Sequence, residues 1–370
     1  MKNKILAILL FSIPLTISAQ KITLGSCTLS DKGQYQGEMM SGKAHGKGKA
    51  TYQNGDTFEG EYVKGKRQGY GVYTFSDGEK YEGQWFQDQQ HGKGVYYFAN
   101  NNRYDGLWFR DYQEGQGTMY YYNGDKYVGN WQKDKRSGKG RYTYAGGAYY
   151  NGEWLNDQKH GRGFFDWADG TTYDGQWIGN LRSGKGTFKY SSGDVYTGQW
   201  KDDIQHGKGI YKFQNGDVYE GDYQQGERTG EGIFKYANGD KYTGHFKDGD
   251  KDGQGTMIWA NGDIYVGSWK SDKCNGRGKL TKKNGDVIDG SFNNGHPDGE
   301  VIIRLTDGTK FKGTYKNGKR NGSAIEEDKD GNRFEGSYVD DQRDGKFVEK
   351  DRNGQITAHG TYEQGMRREE

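Results

Sequence analysis

Cysteine is almost missing: Cys27 and Cys274 are the two in 370 residues. At two strands about 4.8 Å apart for each of the repeats described below, they lie on the order of 100 Å from one another, whereas bridged Cα atoms lie within about 7 Å. An intramolecular disulfide is thereby excluded, and cysteine usage says little about compartment. Apolar residues are scarce too, at 31%, with a mean hydropathy of −1.16. So polar a chain resembles a disordered one, but its 15% aromatic content argues otherwise, because the rings recur in register. There is no excess of one charge: Lys and Arg number 53 against 51 Asp and Glu, and the counts become equal once Lys2 and Lys4 are removed with an export segment. That balance gives no strong pull toward nucleic acid or anionic lipid. No apolar run able to cross a membrane follows the first twenty residues, and no Ser-His-Asp or Cys-His set suggests a nucleophile.

What is present is one stretch repeated. Tyr196 to Val218 recurs in near copy every 23 residues, giving fourteen copies in phase from Tyr35 to Ile356. With Tyr196 as position 1, Gly198 is position 3, Trp200 position 5, Gly207 and Gly209 positions 12 and 14, and Asn215-Gly216 positions 20 and 21. Positions 3 and 12 are Gly in every copy; position 5 is aromatic in all but the first, where Met39 stands. Trp85, Trp108, Trp131, Trp154, Trp177 and Trp200 occupy position 5 in six successive copies. A period of this length signals stacked repeats rather than a compact globule.

The pattern Y-x-G-x-W, H-G-x-G, N-G resembles the MORN repeat family over about nine tenths of the chain that follows Ala19. The resemblance implies a run of β-hairpins and a binding or scaffolding role without a reaction or cofactor.

The residues support that fold on their own terms. Positions 1, 3 and 5 alternate as a strand does, and so do positions 12, 14, 16 and 18. A two-residue turn at Asn215-Gly216 would put the aromatics of the two strands on opposite faces. A three-residue loop, Gln214-Asn215-Gly216 with a left-handed Gly216, sets Tyr211 opposite Tyr219 and Gly209 opposite Gly221, gathering the rings on one face. The fold expected is all-β, an elongated single-layer solenoid of stacked antiparallel hairpins. Gly198, Gly207, Gly209, Asn215 and Gly216 are its structural residues, the paired glycines being slots into which Tyr and Trp rings lie flat.

Along the chain, residues 1–19 read as a signal peptide: Lys2 and Lys4, an apolar core from Ile5 to Ile17, and small residues Ser18-Ala19 before Gln20. Leu24-Gly25-Ser26-Cys27 resembles a lipoprotein box, but polar Gln20 and Lys21 separate Cys27 from the apolar core, so lipid anchoring is not expected. Residues 20–34 form an N-terminal cap or half-repeat, 35–287 eleven regular repeats, 288–356 three divergent ones, and 357–370 a partial repeat or tail. In the divergent copies position 14 drifts from Gly to Val301, Ala324 and Phe347, as suits the end of a solenoid.

Other motifs do not hold. His45, His91, His160 and His206 share position 11, but neighbours lie at least two repeats, about 19 Å, apart, too far to share a metal. Asp248, Asp250, Asp252 and Gly253 open like a calcium loop, yet Trp259 stands where its bidentate Glu belongs. Gly42 to Lys47 has one residue too few for a phosphate loop. Lys47, Lys93, Lys139, Arg162, Lys185, Lys208 and Arg277, at position 13, face away from the aromatics among acidic neighbours, as a solvated face does.

The reading that results is a non-enzymatic scaffold, exported to the periplasm, the outer membrane or the outside, that binds a protein or peptide. A Trp on a single-layer sheet is not covered from above, so the six tryptophans, about 10 Å apart, are expected to leave an apolar strip as the partner-binding groove. The alternative is a lipid- or glycan-binding surface made of the same rings or the basic stripe. Pairing of arrays into a homo-oligomer stays open.

Overall fold

The structure, a computed structural model, describes residues 21–369; the expected signal peptide lies outside the described residues. Among these there is no helix, and thirty-two strands follow one another. They belong to two compact units. One runs to Gly147 and includes Glu153–Asp157, and the other comprises Ala148–Gly152 and the chain from Gln158. Within each, strands pair antiparallel with their neighbours in sequence.

The second unit shows how one repeat builds two strands. Val195–Lys201 and Ile204–Lys212 are joined by a two-residue turn, Asp202-Asp203, both at positive φ. That conformation matches the twist of the strands, and Asp tolerates it better than most side chains. Gly198 pairs with Gly209, but Gln199 then pairs with His206, so Gly207 and Lys208 bulge. Gly207 has φ +60°, and a Cβ on it would strike the Gln199 side chain. A position-12 glycine is thus required twice over.

The next connection is the expected three-residue loop. Phe213 N donates to Asp217 O at 2.9 Å, Gly216 N donates to Phe213 O at 3.0 Å, and Gly216 has φ +95°. Tyr211 pairs with Tyr219 and Gly209 with Gly221, as the sequence predicts. Asn215 holds the loop from inside, its Oδ1 accepting from Asp217 N at 3.0 Å and its Nδ2 donating to the Asp217 carboxylate at 3.0 Å.

At the two ends, Thr23–Thr28 lies antiparallel on Gln34–Met40, and Met366–Glu369 on Ile356–Glu363. The divergent copies keep the same hairpins, Gly290 pairing with Val301 and Gly313 with Ala324.

Candidate functional site

The aromatic face is assembled in three layers. The first is tyrosine on glycine. The Tyr196 ring lies over Gly198 and Gly209, where added Cβ atoms would sit 2.5 Å from its ring and hydroxyl atoms. Its hydroxyl donates to Gln199 O at 2.9 Å, beside the bulge. The same arrangement recurs at Tyr81, Tyr104, Tyr127, Tyr173 and Tyr219. Burial raises the pKa of each of these phenols. The slots therefore exist, but position-1 tyrosines fill them and tryptophans do not.

The second layer is the tryptophans, and here the sequence expectation needs correcting. Trp85, Trp108, Trp131, Trp154, Trp177 and Trp200 are all buried, at 3–6% exposure, so no open strip of indoles runs along the face. Each indole N–H donates to a position-14 glycine carbonyl of the preceding repeat, as in Trp131 Nε1 to Gly117 O at 3.3 Å and Trp177 Nε1 to Gly163 O at 3.0 Å. Position-1 rings also flank the indoles edge-on: Trp131 stands between Tyr104 and Tyr127, both at 5.3 Å, with interplanar angles of 84° and 88°, and Trp85 between Phe58 and Tyr81. Aromatic pairs of this kind add about 0.5–1.5 kcal/mol beyond area burial.

The third layer covers the indoles from above. It is made by position 10, the residue just before the histidines, which the sequence reading did not single out. Arg67 lies over Trp85 with its guanidinium carbon 4.6 Å from the ring centre, Arg136 over Trp154 at 4.4 Å, and Arg182 over Trp200 at 4.4 Å; Lys159 covers Trp177 at 4.4 Å. An acid at position 8 of the next repeat fixes each arginine. Arg136 bonds Asp157 Oδ1 through its backbone N at 2.9 Å and through Nε at 3.0 Å, and Arg182 bonds Asp203 at 2.8 Å by both routes. The signal was there to find: Asp recurs at position 8 in seven copies, 21 residues after the position-10 residue it clamps.

A second acid, at position 22, ties successive loops together. Asp56 accepts from Ser76 N at 2.9 Å and from the Tyr73 hydroxyl at 2.7 Å, and Asp217 accepts from Ala237 N at 2.7 Å. Burial pulls the Asp56 pKa upward, but hydrogen bonds from Tyr73, Asn54 and Ser76 outweigh it and hold the carboxyl below its ordinary range. On the opposite face, position-13 bases meet acids across the strands: Lys208 lies 2.8 Å from Asp222, and Arg162 lies 3.5 Å from Asp174. Cys274 takes position 10 in its repeat, and burial pushes its thiol up to about 11, away from the reactive thiolate.

In the first unit this face holds a cavity of about 670 Å³, walled by rings that include Phe75, Tyr96, Phe98 and Tyr121, with Trp108, Trp131 and the acids Asp111 and Asp134 also lining it. Hairpins whose glycine pairs seat tyrosine rings, repeated at a fixed interval, define a β-hairpin repeat protein. The chain belongs to the MORN repeat family, whose model matches it in eleven consecutive windows over 35–287 and again at 311–333 and 334–356. No curated protein matches the chain. Among solved structures, the TCP domain of Drosophila melanogaster SAS-4, in complex with a proline-rich motif of Ana2, shares 16% identity over 42% of this chain and 85% of that one, with a TM-score of 0.28. The TCP10 domain of Danio rerio CPAP, in complex with a STIL peptide, shares 11% over 70% and 94%, with a TM-score of 0.26. At such scores neither carries an argument about this chain.

Proposed function

We propose that this protein is a non-enzymatic scaffold, exported through its N-terminal segment, which binds an extended stretch of a partner protein along the aromatic face of its first unit. The cavity there carries the reading. It is open, walled by half-buried rings and floored by side-chain amides and carboxylates, a composition suited to a peptide rather than to a reacting small molecule. The outer face supports this less well, because bases such as Lys208 and Arg162 are already matched by acids.

The test is site-specific photo-crosslinking with the full chain in its native envelope. A benzophenone amino acid in place of Phe98, on the cavity wall, should trap a polypeptide partner, and the same group in place of Lys93, on the opposite face, should not. Trapping from Lys93 alone, or trapping only of lipid or glycan from either position, would overturn the proposal.

A further inference from the structure

The cation layer is interrupted over two successive repeats in two places; at Cys274 and Pro297 glycines, Gly295 and Gly318, stand where the acids would be, and only the other interruption keeps its acids. Between Arg67 and Arg136, position 10 is held by Gln90 and Gln113. Their backbone N–H groups still donate to Asp111 and Asp134, each at 2.8 Å, so the acids are placed as in neighbouring repeats. The second half of the clamp is missing. Neither glutamine side chain makes a hydrogen bond among the described residues, although both are more than nine-tenths buried, at 7% and 5% exposure. Neither Asp111 nor Asp134 has a cationic partner there, whereas Asp88 on one side meets Arg67 and Asp157 on the other meets Arg136. All six groups, two amides, two carboxylates and the indoles of Trp108 and Trp131, line the same cavity.

Buried polar groups ordinarily find partners, and carboxylates beside aromatic rings favour a cation. We propose that this interruption is a receptor for two basic side chains of the partner, which take the places that Arg67 and Arg136 occupy in the flanking repeats. Arginine fits better than lysine, because its planar fork can meet carboxylate and amide oxygens together while it stacks over the rings. The two places are one repeat apart, about 10 Å by strand spacing. A polyproline II segment brings every third side chain to one face with a rise of about 9 Å, so arginines three residues apart on such a segment match the spacing. Gln205, the third glutamine at position 10, makes a useful contrast. Its amide donates to the Tyr190 hydroxyl at 3.2 Å, and Gly226 stands where the acid would be, so no cation site forms.

This inference rests on the peptide-binding reading and is tested separately from it. The probe is a synthetic Arg-Pro-Pro-Arg peptide with proline flanks, titrated calorimetrically into the full chain. One peptide should bind per chain, more weakly as salt rises. Gln90→Arg/Gln113→Arg, which fills the gap with the chain's own cations, should weaken binding roughly tenfold or more while leaving thermal stability equal or higher. Asp111→Asn/Asp134→Asn should weaken it similarly, and Gln205→Arg should leave it unchanged. Equal binding of a Gln-Pro-Pro-Gln peptide, undiminished binding to the doubly filled variant, or capture of phosphatidylcholine vesicles in place of the peptide would overturn the inference. If the arginine peptide does not bind while Phe98 still traps a polypeptide, the cation site fails and the peptide-binding reading stands.

Discussion

At the scale of the residue, the account turns on which atoms fill the space above a glycine. In the regular repeats the position-1 ring fills it, a tyrosine in all but the second, where Phe58 lies over Gly60 and Gly71. In the divergent ones position 14 adds to the filling, since Val301, Ala324 and Phe347 are buried; the Phe311 and Phe334 rings still lie close over Gly313 and Gly336, whereas the repeat with Val301 has Ile288 at position 1 and no ring. In the repeat of Ile288 and Val301 the change at position 14 is therefore matched by loss of the ring at position 1. Transplanting it gives a test. Gly209→Val alone should cost about 1–3 kcal/mol, because the new side chain runs into the Tyr196 ring. Tyr196→Ile alone should cost about 2–5 kcal/mol through lost packing. The double variant, which reproduces the Ile288 and Val301 pair, should lose less than the sum in chemical denaturation. Strict additivity would mean that ring and glycine are not packed as one unit.

At the scale of the element, the turns decide register and the acids lock neighbouring hairpins. Gly216→Ala places a Cβ at φ +95° and should destabilise the hairpin by about 1–2 kcal/mol, measurable as local loss of amide protection between Lys212 and Val218. Acid should release the locks. The carboxyls of Asp56 and Asp125 are held below their ordinary range against the pull of burial by hydrogen bonds led by Tyr73 and Tyr142; Asp263 is held down first by Lys282, and Asp286 by the Thr306 backbone. A depressed native pKa contributes stability that is present above the unfolded value, about 3.9, and is lost as pH falls through the native values. The near-ultraviolet signal should hold down to about pH 4 and decline below it, with a shallower decline in Asp263→Asn/Asp286→Asn. A decline of the same steepness in that variant would remove these acids from the explanation.

Much of this architecture could be read from the sequence because the turn chemistry and the glycine pairs are local and periodic. Gln214-Asn215-Gly216 dictated the loop, and the loop dictated which rings share a face. The burial of Trp131 and Trp154 could not be read in the same way, since it depends on contacts between repeats. Arg136 reaches sideways onto Trp154, 18 positions away in sequence, and position 10 varies among Arg, Lys, Gln, Ala, Cys and Pro, which hides its shared role. The interruption at Gln90 and Gln113 becomes visible only once the rule it breaks is known.

At the scale of the whole molecule, the export reading predicts a mature chain beginning at Gln20, checked by the intact mass of protein recovered from the producing cell. A mass that retains Met1–Ala19 would contradict cleavage after Ala19. The functional account concentrates binding in one stretch of the first unit although the fold repeats throughout, and hydrogen–deuterium exchange of the full chain with and without the Arg-Pro-Pro-Arg peptide tests that claim most directly. Added protection is predicted from Asp88 to Arg136 and nowhere else. Protection spread evenly over the repeats, or confined to the Lys208 and Arg162 face, would contradict it.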